Sequence, residues 1–127
     1  MGDMGNIRKA KDNEKIRLLV NEWVKNKEYL KNDIGIEKLG KKLGVNRTYI
    51  SNYINDTYQV NFNTWIHRMR ITDAKQMIID NPGITMGQIS IMTGYTDQAH
   101  FSKLFKQITG VSPMKWRKQV SDNGENS

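Results

Sequence analysis

The side chains best equipped for chemistry in this sequence lie in the stretch GYTDQAHFSKLFKQITGVSPMKWRK, from Gly94 to Lys118. Phe101, Leu104 and Phe105 recur there at helical spacing, so one face of the segment is apolar and due for burial. Ala99, Ser102, Lys103 and Lys106 then share the opposite face, which is small, polar and basic and carries no acidic residue. Such a face has the means to recognise a partner rather than to transform one. His67 and His100 invite a metal or acid–base reading, but they fall in different helical stretches with no companion ligand cluster. There is no Gly-rich phosphate loop, no paired-carboxylate site and no Ser/His/Asp arrangement. The sequence has no cysteine, which removes disulfides, thiolate nucleophiles and Cys-based zinc or iron–sulfur sites. The expectation is a binding module and not an enzyme, with no metal and no cofactor.

The elements that position this face are helical. In 127 residues there is room for one domain or two very small ones. Residues 14–30 place Ile16, Leu19, Val20, Trp23 and Val24 on one stripe. A short helix follows over 36–43 and stops at Gly44. Asn46 is placed to cap the next, over about 47–55. A long helix spans 62–80, ended by Asn81-Pro82-Gly83. Thr85 and Gln88 form a capping box for a short helix that stops at Gly94. Asp97 caps a helix through about Gln107, and Ser112-Pro113 opens the last one. No segment alternates with period two, so the expected fold is all-α with about seven helices. The polar ends, residues 1–12 and 121–127, are expected to be disordered tails.

A weak internal repeat runs through this pattern. GIEKLGKKLGV aligns with TMGQISIMTGY at a shift of 50, pairing Leu39 with Ile89, Gly40 with Ser90 and Gly44 with Gly94. The shift then becomes 51 and pairs Asn46 with Asp97, Ile50 with Phe101, Asn61 with Ser112 and Trp65 with Trp116. Each copy has the form of a helix-turn-helix. A small residue in the first helix allows the second to cross closely, and a glycine in the turn can take positive φ. The second helix buries Ile50, Tyr53 and Ile54 in one copy and Phe101, Leu104 and Phe105 in the other. Outward it presents Thr48, Ser51, Asn52 and Asn55, or Ala99, Ser102, Lys103 and Lys106. In helix-turn-helix proteins the second helix enters the DNA major groove. The domain boundaries that follow are 13–61 and 81–120 for two subdomains, joined by a linker helix over 62–80. At about 1.5 Å per residue that linker spans roughly 28 Å, against roughly 34 Å between successive major-groove faces. One chain would then read two neighbouring grooves of double-stranded DNA at an asymmetric site. If the linker holds the units slightly closer than the groove repeat, the DNA should bend toward the protein.

Lys and Arg outnumber Asp and Glu by 20 to 13, a net charge of +7, which favours a polyanionic partner. Charge alone leaves a second reading open, a basic helical module for an acidic protein or membrane surface. No apolar run approaches the length of a membrane span, and the first residues, MGDMGNIRKAKDNEK, lack the apolar core of a signal peptide. A cytoplasmic location is therefore expected.

Over about Ile34 to Lys118 the sequence resembles the DNA-binding domain of AraC/XylS-type bacterial transcription regulators. GYTDQAHFSKLFKQITGVSPMKWR follows the family signature, and FNTWIHRMRITDAKQMI looks like its linker helix through Arg70, Ile71, Ala74 and Met77. The resemblance implies base-reading roles for Arg47, Thr48, Ser51 and Asn52 in the first copy and Gln98, Ala99, Ser102 and Lys103 in the second. Gly40 stands where the family usually has Ala, and Asn52 and Lys103 where Arg is frequent. By chemistry, Asn suits adenine, Lys suits guanine, and Ala or a Thr methyl meets the thymine methyl. Lys106, and with it Lys41 and Lys42, are candidates for phosphate contact, which positions without specifying. His100 is a further phosphate candidate, as are the backbone N–H groups of the helices opened by Asn61 and Ser112. Trp65 and Trp116 are expected to pack behind the two recognition helices, and the methionines, including Met69, Met77, Met92 and Met114, to fill the core. The resemblance also implies promoter binding as the output domain of a larger regulator, with a sensor or effector domain elsewhere and RNA polymerase as a further partner.

Overall fold

The computed structural model describes the backbone of residues 2–125 and the side chains of residues 13–124. Seven α-helices and one 3₁₀ turn follow one another, with no strand among the described residues. They are α1 (Gly2–Lys25), the 3₁₀ turn (Glu28–Leu30), α2 (Ile36–Leu43), α3 (Arg47–Tyr58), α4 (Phe62–Asp80), α5 (Met86–Met92), α6 (Gln98–Thr109) and α7 (Pro113–Glu125). The all-α architecture is the one that the periodicity predicts.

Several ends differ from the sequence expectation. The first helix stops at Lys25 and does not run to Leu30, because Lys27 takes a left-handed φ of 55°. Helix α3 continues to Tyr58 and is ended by Gln59, also left-handed at φ 62°. A non-glycine residue in that conformation gives no signal in the sequence. Helix α6 continues to Thr109 and ends on Gly110 at φ 90°. Helix α7 extends over 121–125, part of the expected tail, beyond a half-buried Val120 that anchors it. The tail expected over 1–12 coincides with the first half of α1, whose side chains lie outside the described residues, as do Met1, Asn126 and Ser127.

The chain divides into two units. Unit 1 comprises Met1–Tyr29 and Ile34–Trp65, and unit 2 comprises Leu30–Asp33 and Ile66–Ser127, so α4 is shared out after Trp65. The core of unit 1 takes Ile16, Val20 and Trp23 from α1, Leu39 from α2, Ile50 and Ile54 from α3, and Phe62 and Trp65 from α4. Trp65 is sandwiched between rings: its centroid lies 5.9 Å from Trp23 and 5.5 Å from Tyr58, both nearly parallel to it. The core of unit 2 gathers Ile71, Ala74 and Ile78 from α4, Ile84, Met86 and Ile89 around α5, Tyr95 from the turn, and Phe101 and Phe105 from α6, with Trp116 packed against it. Trp116 meets Phe105 edge-on at 6.0 Å. Both tryptophans thus pack against a recognition-helix residue, as their repeat positions predict. The methionines divide: Met86 is buried and Met69 and Met77 half-buried, but Met92 and Met114 are exposed, contrary to a core-filling role. Both sit on the solvent side of their helices, α5 and α7, whose inner positions are already taken by Ile89 and by Pro113 and Trp116.

Candidate nucleic-acid interface

The two copies of the repeat fold alike in detail. In unit 1 the Val45 amide donates to the Gly40 carbonyl at 2.9 Å, and in unit 2 the Tyr95 amide donates to the Ser90 carbonyl at 2.9 Å. These equivalent bonds set the turn between the two helices. Gly40 is buried, and a Cβ there would lie 2.7 Å from the Val45 carbonyl oxygen. Ser90 fills the matching position in unit 2 and turns its hydroxyl to the Gly87 carbonyl at 2.8 Å. Gly94, at φ 95°, admits no side chain: a Cβ would meet the Leu30 carbonyl oxygen at 2.7 Å and Arg70 Cζ at 2.8 Å.

Each turn delivers a capped second helix. Asn46 Oδ1 accepts from the Thr48 amide at 2.8 Å at the start of α3. Asp97 Oδ1 accepts from the His100 amide at 2.7 Å at the start of α6. The caps satisfy amides that the first helical turn leaves unpaired. With the ends fixed, burial sets the rotation of each helix. Ile50 and Ile54 of α3 and Phe101 and Phe105 of α6 are 0% exposed. The opposite faces are therefore turned outward. Arg47, Thr48, Asn52 and Asn55 are exposed on α3, and Ser51 is half-buried. Gln98, Ala99, Lys103 and Lys106 are exposed on α6, and Ser102 is half-buried.

The positions expected to meet phosphate are also accessible. Asn61 is exposed, and its Oδ1 accepts from the Thr64 amide at 2.8 Å, capping α4. Ser112 is half-buried, and its Oγ accepts from the Lys115 amide at 3.2 Å, capping α7. His100 is exposed, with its ring edge-on to Tyr95 and to His67. Lys41 is exposed, whereas Lys42 is engaged by the Glu28 carboxylate.

Three features are not legible in the spacing. Tyr49 is 59% exposed on the first turn of α3, flanking the Thr48–Asn52 face. Arg47 Nη1 donates to Glu37 Oε1 at 2.7 Å, so the α3 cation is engaged within the unit. Arg70 is 5% exposed, donates from Nη2 to the Lys31 carbonyl at 2.6 Å and lies 5.0 Å above the Tyr95 ring. Burial pulls its pKa below the ordinary value for arginine. Arg70 meets the Lys31 carbonyl across 39 residues, and Arg47 meets Glu37 across the turn between α2 and α3, so helical spacing along one element announces neither contact. Among the described residues no cluster of His, Cys, Asp or Glu could hold a metal ion, and no helix is long and apolar enough to cross a membrane.

Two capped helices with buried apolar backs and polar fronts, each behind a tight turn, define a helix-turn-helix protein. Residues 39–119 match the profile of a helix-turn-helix domain family. The transcriptional regulator YisR of Bacillus subtilis is 35% identical over 94 residues, covering 74% of this chain and 32% of that protein. The C-terminal domain of AraT, a response regulator from Geobacillus stearothermophilus, shares the fold with a TM-score of 0.74 at 24% identity, over 83% of this chain and 84% of that one. So does the DNA-binding domain of the transcription factor AdpA, solved with a target DNA, with a TM-score of 0.74 at 14% identity over 88% and 97%. The chain belongs to the AraC/XylS-type family of helix-turn-helix transcription regulators, as a DNA-binding domain. It spans about a third of the length of the curated relatives it matches.

Proposed function

We propose that the chain binds double-stranded DNA at an asymmetric promoter site, with α3 and α6 in adjacent major grooves. The observation that carries this reading is that all eight candidate base-reading side chains lie on the outward faces of two helices in equivalent register, with none buried. Lys103 supplies a donor suited to guanine, and Asn52 a bidentate donor–acceptor suited to adenine. Thr48 and Ala99 offer methyl groups to thymine. Lys106, His100 and the helix starts at Asn61 and Ser112 hold phosphates and set the register. Because the two faces differ in sequence, the two half-sites differ too. The chain acts as the output domain of a larger bacterial regulator in the cytoplasm, whose sensor or effector domain controls it and whose effect reaches RNA polymerase.

Footprinting of the protein on genomic fragments tests this reading. The expected result is protection of about two helical turns on one face, without two-fold symmetry, and an affinity whose log–log salt slope is about −0.9 per phosphate contact. Binding without protection of any sequence would overturn it, and would favour instead a basic surface for an acidic protein or membrane.

A further inference from the structure

The two units share a register point at which they differ in charge. The second residue of the first helix lies beside the first residue of the recognition helix. In unit 1 these are Glu37 and Arg47, with oxygen and nitrogen 2.7 Å apart and side chains 70% and 61% exposed. In unit 2 they are Gly87 and Gln98, and a Cβ on Gly87 would lie 3.6 Å from Gln98 Oε1. The same place in the motif therefore holds an acid–base pair in one copy and a glycine beneath a neutral amide in the other.

The consequence depends on what else each helix carries. Helix α3 has one cation, Arg47, and one carboxylate, Asp56. Helix α6 has Lys103 and Lys106 and no carboxylate. Arg47 is thus the only cation of its own with which α3 can attract DNA, and Glu37 neutralises it.

We infer that Glu37 is a specificity-determining residue for α3, resting on the reading that α3 enters a groove. An exposed ion pair is weak and opens readily. Opening it onto a phosphate exchanges one anion for another and leaves the Glu37 carboxylate beside the DNA backbone, so sequence-independent contact gains little. Opening it onto guanine offers Arg47 the paired acceptors N7 and O6. Glu37 thereby suppresses non-specific binding through α3 more than it suppresses binding at the right base. Unit 2 has a carboxylate of its own in the N-cap Asp97, but its α6 carries Lys103 and Lys106, neither of them paired, among the described residues, with a residue of the first helix, and supplies the greater electrostatic attraction.

The test compares the whole chain with Glu37→Gln, Arg47→Ala and the double variant, on the footprinted duplex and on a random duplex of equal length across salt. Glu22→Gln, an exposed change on α1, controls for net charge. Glu37→Gln is expected to tighten random-duplex binding roughly 3- to 10-fold and cognate binding by less. Its salt slope on random DNA should steepen by about 0.9, one more phosphate neutralised. In the Arg47→Ala background the gain should shrink to that of Glu22→Gln. Rebuilding the pair in unit 2 gives a second readout: Gln98→Arg should tighten random-duplex binding, and adding Gly87→Glu should take the gain back. The inference is overturned if Glu37→Gln leaves the cognate-to-random ratio unchanged, or acts equally with and without Arg47. If a sequence is protected and Arg47→Ala weakens it, such a result sinks the role of Glu37 alone. If no sequence is protected, or Arg47→Ala changes neither duplex, the placement of α3 in a groove falls with it.

Discussion

His67 of α4 and Tyr95 of the turn ahead of α6 share a hydrogen bond, Nδ1 to Oη at 2.8 Å, with their rings stacked 5.7 Å apart. The contact ties the residue that leads into the second recognition helix to the linker helix behind it. Arg70 covers the Tyr95 ring, His100 meets its edge and the Phe101 ring tilts against it at 5.6 Å, so with His67 four side chains surround one phenol.

This cluster makes the stability of unit 2 pH-dependent. Burial first, then the nearby charges of Arg70 and His100, hold the His67 imidazole below its usual pKa. The unfolded chain, with an ordinary pKa of about 6.5, then binds more protons than the folded one as pH falls. The stabilisation is complete above that value and is lost as pH drops through it toward the lower folded value. Thermal melts from pH 8 to pH 5 should show a falling midpoint, and His67→Gln should flatten that fall. A wild-type midpoint independent of pH over this range would refute the assignment.

Gly40→Ala sets two effects against each other. Alanine gains roughly 1 kcal/mol over glycine inside a helix. The added Cβ, however, meets the Val45 carbonyl oxygen at 2.7 Å, and that atom is backbone. Overpacking of this kind costs about 1–3 kcal/mol, so denaturant unfolding should show a net loss. A more stable variant would mean that the turn after α2 yields more easily than its packing indicates.

Asp97 separates capping from charge. Asp97→Ala removes the acceptor for the His100 amide and should cost about 1 kcal/mol of stability. Asp97→Asn keeps an acceptor and removes a carboxylate beside the start of α6, so its melting point should stay near wild type while DNA affinity rises a few-fold. Titrations of both variants against the same duplex check this.

Lys103→Ala should cost about 1–3 kcal/mol at the cognate site and relax preference in one half-site only. Selection of preferred sequences by the variant measures this directly. An unchanged ratio of cognate to random binding would remove Lys103 from base readout.

Much of this was readable from spacing because burial alone fixes the rotation of a helix. Phe101 and Phe105, once inside, leave Lys103 and Lys106 no choice but the outside, and the same holds for Ile50 and Ile54 against Thr48 and Asn52. The caps at Asn46, Asp97 and Thr85 were likewise legible, since each residue serves amides two or three positions on. What spacing could not provide is contact between distant segments. Arg70 reads as part of a linker helix, yet it is held by a carbonyl 39 residues away. The left-handed Lys27 and Gln59 also escape notice, because only surrounding packing forces an ordinary residue into that conformation.

The distribution of indoles has a practical consequence. Trp23 and Trp65 both belong to unit 1 and are stacked, whereas Trp116 stands in unit 2 with Lys75 Nζ 5.8 Å from its ring. Each half therefore carries its own intrinsic fluorophore, and the close pair should add an exciton couplet to the ultraviolet dichroism. Emission from Trp116→Phe reports one half alone, so the melting of the two can be resolved optically without attaching any dye.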